Sequence, residues 1–218
     1  MAEVSIQRKN RIFEILAVVI TACGKFIFMD LLRWKLPFIL VAIVFWVGYV
    51  FYQQKRNPGI AKQWGFRTDN FSKTVKIVLP FGLAALAVFI SLGFYLGTIH
   101  ITWHIIPILI LYPTWGIIQQ FLLIALVVGN LQVFGNSKLY HVGVIILAAL
   151  LFGVLHYPFG WLIVGTFILA LFYGFVYLKQ RNVYALGIFH GWLGGLFFYT
   201  VVNRDPFVEV FGRILHIK

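Results

Sequence analysis

Few side chains in this apolar chain are equipped for chemistry. In its hydrophobic interior they are Gln119, Gln120, His156 and His190, with His100, His104 and His141 nearer the ends of the apolar runs. A neutral imidazole can serve as a general base or a metal ligand near neutral pH. A glutamine amide donates and accepts hydrogen bonds but offers no site for a proton. Between Asp69 and Asp205 there is no Asp or Glu, so only Glu14 and Asp30, in the first apolar segment, stand to bring a carboxylate to such a centre. Polar side chains inside a bilayer are costly and mark functional positions by default. Adjacent residues on a helix point about 100° apart, so Gln119 and Gln120 can both face one cavity only obliquely. Bonding between helices is the plainer role for such amides. His156 closes the run Phe152-Gly153-Val154-Leu155-His156, whereas His190 lies well inside its own run, among Gly187, Gly191, Gly194 and Gly195. Small residues there allow a second backbone to approach and bury the imidazole.

The elements that must position these residues follow from composition. The chain is 61% hydrophobic and 11% charged, and from Ile77 to Ser137 it has no Lys, Arg, Asp or Glu. Such a stretch cannot be the surface of a water-soluble domain, while a membrane span needs roughly 20 apolar residues. Runs such as Val144-Ile145-Ile146-Leu147 lack the alternation of a barrel strand, and unpaired backbone groups in lipid require helices. The expectation is an all-α, polytopic integral membrane protein of about seven helices, near 12–32, 37–53, 77–97, 104–132, 139–156, 160–178 and 184–202. Pro107 and Pro113 are expected to divide the overlong fourth segment, with the span proper starting near Pro113. Glu14, Lys25 and Asp30 interrupt the first, which is expected to lie partly in the interface.

The connection from Gln53 to Lys76 carries Lys55, Arg56, Lys62, Arg67, Lys73 and Lys76 against one acid, Asp69. Lys and Arg gather on the cytoplasmic side, which places this loop, the N-terminus, Lys138 and Lys179–Arg181 in the cytoplasm. Arg33 and Lys35 run against that rule. The net charge of +12 is therefore a topology signal and an attraction to anionic lipid. Because the basic residues flank spans, nucleic-acid binding is not expected. The expected partners are membrane lipids and a membrane-embedded peptide or protein. The single cysteine excludes an internal disulfide. Ile20-Thr21-Ala22-Cys23 loosely resembles a lipidation signal, but Glu14 and the apolar Phe26-Ile27-Phe28 argue for an ordinary helix cysteine. The chain reads as a single membrane domain, 1–218, with N-terminal spans and basic loop (1–63), a core (64–202) and a tail (203–218) that forms a short interfacial helix.

A family resemblance emerges from the order of these features. A paired polar motif in a middle span is followed by Phe-x-x-x-His closing the next, then a Gly-rich span, a basic turn and a histidine on the last span. Tyr173-Gly174-Phe175-Val176-Tyr177-Leu178, then Gln180 to His190, and Trp64-Gly65-Phe66-Arg67 carry the likeness further. The sequence from about 64 to 200 resembles the CPBP family, the CAAX-processing and bacteriocin-processing intramembrane proteases. The resemblance implies a helical bundle with Gln119, Gln120, His156 and His190 at the catalytic positions and Phe152, Trp192 and Gly194 near substrate, with no cofactor. Where that family has Glu-Glu-x-x-x-Arg, this chain has Gln119, Gln120 and Ile124. Where it has His-x-x-x-Asn or Asp, this chain has His190 and Gly194. Without the glutamate that activates water, about 10²–10⁴-fold of general-base catalysis is lost. Without the final oxyanion donor a further ~10²–10³ is lost.

Three readings follow. In one, His156 or His190 is the base of a non-standard endopeptidase, and the glutamines hold the substrate backbone. In the second, a degenerate member, or pseudoenzyme, keeps the cavity and binds a helix, peptide or lipid tail as a membrane partner or as an assembly or protective factor. In the third, His156 and His190 ligate haem or another metal. All readings that share one site face the same requirement. At ~1.5 Å per residue, straight spans leave His156 ~26 Å from Lys138 and His190 ~13 Å from Arg181, so tilt or a deep cavity must unite them.

Overall fold

The computed structural model describes residues 2–217, and these form helices joined by short turns. Helix α1 (Ala2–Gly24) runs on through π-helical turns at Lys25–Leu31. It is followed by α2 (Lys35–Arg56), the short α3 (Ile60–Trp64) and α4 (Phe71–Leu96). Then come α5 (Ile105–Phe134), α6 (Lys138–Val154), α7 (Gly160–Gln180), α8 (Val183–Val202) and α9 (Pro206–Leu215). Among the described residues six helices are long and apolar enough to cross a membrane, and α6, at 17 residues, is a shorter apolar helix. The protein is thus a multi-pass integral membrane protein, with α1 a candidate span over Lys9–Leu31 despite its charges.

The prolines do not divide α5, contrary to the sequence expectation. Pro107 stands in the first turn, where its missing N–H has no acceptor to lose. Pro113 lies inside the helix and frees the carbonyl of Leu109, four residues earlier. That carbonyl accepts a hydrogen bond from the indole Nε1 of Trp192 at 2.9 Å. A neighbouring helix therefore satisfies the group that would otherwise break α5 in lipid. Beyond Gln120 the helix widens into π-helical turns over Phe121–Val128, and every one of those residues is buried.

Helices α5 and α8 cross with their backbones in contact. Gly187, Gly191 and Gly195 repeat every fourth residue and all face α5. A Cβ at Gly191 would lie 2.5 Å from the nitrogen of Pro113, and one at Gly187 would run into the backbone of Ile117. From the other side, a Cβ on Gly116 would lie 2.9 Å from the nitrogen of Gly191. Close backbone approach through small residues is how helices associate without a hydrophobic drive between them.

The basic ends of the bundle are tied together. Tyr177 donates to the Trp64 carbonyl at 3.0 Å, and the Val183 N–H to that of Gly65 at 2.9 Å. Asn182 donates to Arg67 and Asn70, and Asn70 to Gln180. A Cβ at Gly65, at φ 100°, would strike the Arg181 backbone, so only glycine fits this junction.

Two outcomes are expected. Gly191→Ala should lower stability in detergent by about 2 kcal/mol or more, measured by thermal unfolding, whereas Gly194→Ala, with nothing near its Cβ, should not. Trp192→Phe, which leaves the Leu109 carbonyl unpaired, should cost about 1–3 kcal/mol, and replacing Pro113 by Ala in the same protein should recover most of it.

Candidate functional site

The α5–α8 crossing sets the first pair of polar residues face to face. One turn beyond the contact, the Nε2 of His190 lies 3.0 Å from the Oε1 of Gln119. With the amide oxygen as acceptor, the ring proton sits on Nε2 and Nδ1 is bare. That Nδ1 is buried and has no hydrogen-bond partner within the protein. His156 stands in the turn after α6, and its Nδ1 lies 2.8 Å from the carbonyl oxygen of Phe152. A carbonyl can only accept, so Nδ1 carries the proton and Nε2 presents a lone pair. The backbone fixes the tautomer here, in a role often taken by a carboxylate.

Gln119, His156 and His190 line one cavity of about 530 Å³. Phe152 joins the two histidines, its ring 4.9 Å from that of His156 and 5.3 Å from that of His190. It stands one helical turn before His156, so its ring spans part of the difference in depth expected from straight helices. Gly194 borders this cavity and a second one, of about 320 Å³, set between α4, α7 and α8. The second is walled by apolar side chains such as Phe81, Val88 and Leu169, and it too reaches His190.

Two of the sequence-derived site residues lie elsewhere. Gln120 is fully buried, does not border the cavity, and has no partner for either amide atom. Trp192 is half-exposed on another face of α8, where its indole supports Leu109 instead of lining the site. These positions follow from helical geometry, since neighbours about 100° apart cannot share a narrow cavity.

Sequence reasoning missed the charged outer end of the cavity. Lys25 and Asp30 line it as an ion pair at 2.7 Å, and Lys35 pairs with Glu209 at 2.7 Å. Arg204 also pairs with Glu209. Asp30 was foreseen as one of two carboxylates within reach, but Glu209 arrives on α9, the tail that the sequence suggested was a short interfacial helix. This helix is docked by its N-cap. The Asp205 carboxylate accepts from the backbone of Phe207 and Val208, from Thr102 at 2.8 Å and from Tyr199 at 3.0 Å. The Nδ1 of His104 lies 2.6 Å from the same carboxylate. A legible signal existed: in a chain with six acids, Asp205-Pro206 followed by Glu209 is a helix start with an acid in its first turn.

Among the described residues, no group of three or more His, Cys, Asp or Glu is arranged to hold a metal ion. The arrangement can hold an extended backbone by amide and imidazole hydrogen bonds. It can accept a proton at the Nε2 of His156, but among the described residues no unpaired carboxylate lines it.

A polytopic helical membrane protein with histidines and an amide around an intramembrane cavity is the class these features define. Residues 101–195 match the family model of the type II CAAX prenyl endopeptidases, Rce1-like, which lies within the CPBP resemblance. That stretch holds Gln119, Gln120, His156, His190 and Gly194, while Asp30, Lys35 and Glu209 fall outside it. No curated protein and no solved structure matches the chain.

Burial raises the Asp205 carboxyl, but the hydrogen bonds from His104, Thr102, Val208 and Tyr199 outweigh it and hold the group below its ordinary value of 3.8. A depressed carboxylate stabilises the fold above its unfolded pKa, and that contribution fades as pH falls through the folded value. Hydrogen exchange of α9 should therefore not be accelerated by protonation of Asp205 between pH 6 and 5, and should rise below about pH 3.8. In Asp205→Ala the rise should already be present at pH 6.

Proposed function

We propose that this protein is a degenerate intramembrane endopeptidase, which takes a membrane-embedded peptide into the Gln119–His156–His190 cavity and does not hydrolyse it by carboxylate-activated water. The observation that carries this reading is the bond between Gln119 and His190. The amide occupies the position where the resemblance calls for a glutamate, and it is engaged with an imidazole. A neutral amide cannot accept the proton of the attacking water. The remaining acids of the cavity, Asp30 and Glu209, are held by lysine or arginine. Peptide backbone would bond to Gln119 and to the bare nitrogens of the histidines, with Phe152 flanking it. With the basic loop cytoplasmic, as the charge pattern predicts, the cavity opens on the other side of the membrane.

A second reading rests on His156 alone. Its tautomer is fixed by Phe152, and its free Nε2 is a base of suitable kind, so slow hydrolysis without a carboxylate is chemically consistent.

Proteoliposomes carrying membrane-tethered peptides separate the two. The expected result is photocrosslinking of peptide to the cavity with no cleavage by the wild type. Gln119→Glu combined with Gly194→Asn, which enters open space, should introduce measurable cleavage. Cleavage by the wild type that is lost in His156→Ala would establish the second reading and overturn the first.

A further inference from the structure

A second polar cavity lies at the opposite end of the bundle from the one just described, between α1 and α2. Its volume is about 530 Å³. Asn10, Phe13, Glu14 and Ala17 form one face of α1, at the spacing of a single helical stripe. Across from them α2 presents Trp46, Tyr49, Gln53 and Arg56. The resemblance to endopeptidases does not reach these residues, which precede the matched segment.

Two series of hydrogen bonds in this cavity converge on Glu14. Asn57 donates to the Gln53 oxygen at 3.3 Å, Gln53 to the Tyr49 hydroxyl at 2.9 Å, and Tyr49 to Glu14 Oε1 at 2.6 Å. From the other side Arg11 donates to Asn130 at 3.0 Å, and Asn130 to Glu14 Oε2 at 2.5 Å. A carboxylate has about four lone-pair sites, and only two are used. Among the described residues no lysine or arginine pairs with Glu14 directly. The walls beside it are aromatic, with Phe13, Phe45, Trp46 and Tyr49. An anion set among aromatic rings is suited to a cationic ammonium group.

One donor stands ready for the other half of a ligand. Arg56, in the last turn of α2, bonds only the Tyr52 hydroxyl and ring and is otherwise open. Glu14 lies five residues into the span that begins at Lys9, a depth of about 8 Å. That is the boundary between headgroups and acyl chains, and the exposed faces of Phe13 and Phe45 turn the cavity toward lipid.

We propose that this cavity binds the headgroup of a zwitterionic aminophospholipid, with its primary ammonium on Glu14 and its phosphate on Arg56. A phospholipid supplies both charges at the spacing of one headgroup, together with acyl chains for the exposed aromatic rim. An anionic lipid would place its headgroup hydroxyls against the carboxylate and forgo the ammonium contact.

The test uses the full chain in detergent, delipidated and titrated with short-chain phosphatidylethanolamine, short-chain phosphatidylglycerol or soluble phosphoethanolamine. Native mass spectrometry and tryptophan fluorescence report binding. Phosphatidylethanolamine is expected to bind saturably and roughly tenfold or more tighter than phosphatidylglycerol. Glu14→Gln should abolish that preference, and Arg56→Gln should weaken both lipids about fivefold. Should Glu14→Gln not fold, the Arg56 variant, which leaves the Glu14 bonds intact, still decides the matter. Equal affinity for the two lipids in the wild type overturns the proposal, as does unchanged binding in Arg56→Gln. Phosphoethanolamine binding as tightly as the lipid would assign the cavity to a soluble metabolite and overturn the lipid assignment.

Discussion

Contact between the backbones of α5 and α8 governs the rest of the molecule. In lipid two helices gain little by hiding apolar surface from each other, so dispersion at short range must hold them. Gly116 on one helix and Gly187, Gly191 and Gly195 on the other provide that range. The same closeness places the Trp192 indole against the carbonyl that Pro113 leaves free, and His190 against Gln119. Helical continuity, tight packing and the polar pair at the cavity are thus consequences of one crossing.

Charge is handled with similar economy. Lys35, which runs against the expected topology bias, is matched by Glu209 at the outer end of the cavity, and Lys25 by Asp30. The acids of the first span and the tail are therefore not left to lipid. Asp205 anchors α9 so that Glu209 reaches Lys35 at all. At the other end, Glu14 is held by neutral donors instead of a direct cation. The two cavities consequently differ in kind: one has its acids neutralised, and the other keeps one available.

Much of this was legible in residue types. The uncharged stretch from Ile77 to Ser137 required helical spans, and the glycines around His190 pointed to a close partner. Lateral direction was less legible. Gln119 and Gln120 are equivalent as letters, and only the rotation of α5 sends one to the cavity and the other into the core. Pro113 looked like a helix end because the compensating indole lies 79 positions away in the chain, on another helix, at Trp192. The tail looked peripheral for the same reason, since its anchors, Thr102 and His104, are remote in sequence. Long-range polar bonds of this kind leave no periodic trace.

Gly194, together with Leu162 and His190, borders two chambers. One chamber ends among ion pairs, the other among phenyl and aliphatic groups, and both reach the same imidazole. His190 is accordingly addressable from two solvents, a polar one through the charged rim and a hydrocarbon one sideways between helices. A side chain at 194 would project into the open space beside that imidazole, where a Cβ meets nothing within 4 Å. One missing side chain thus leaves both approaches clear.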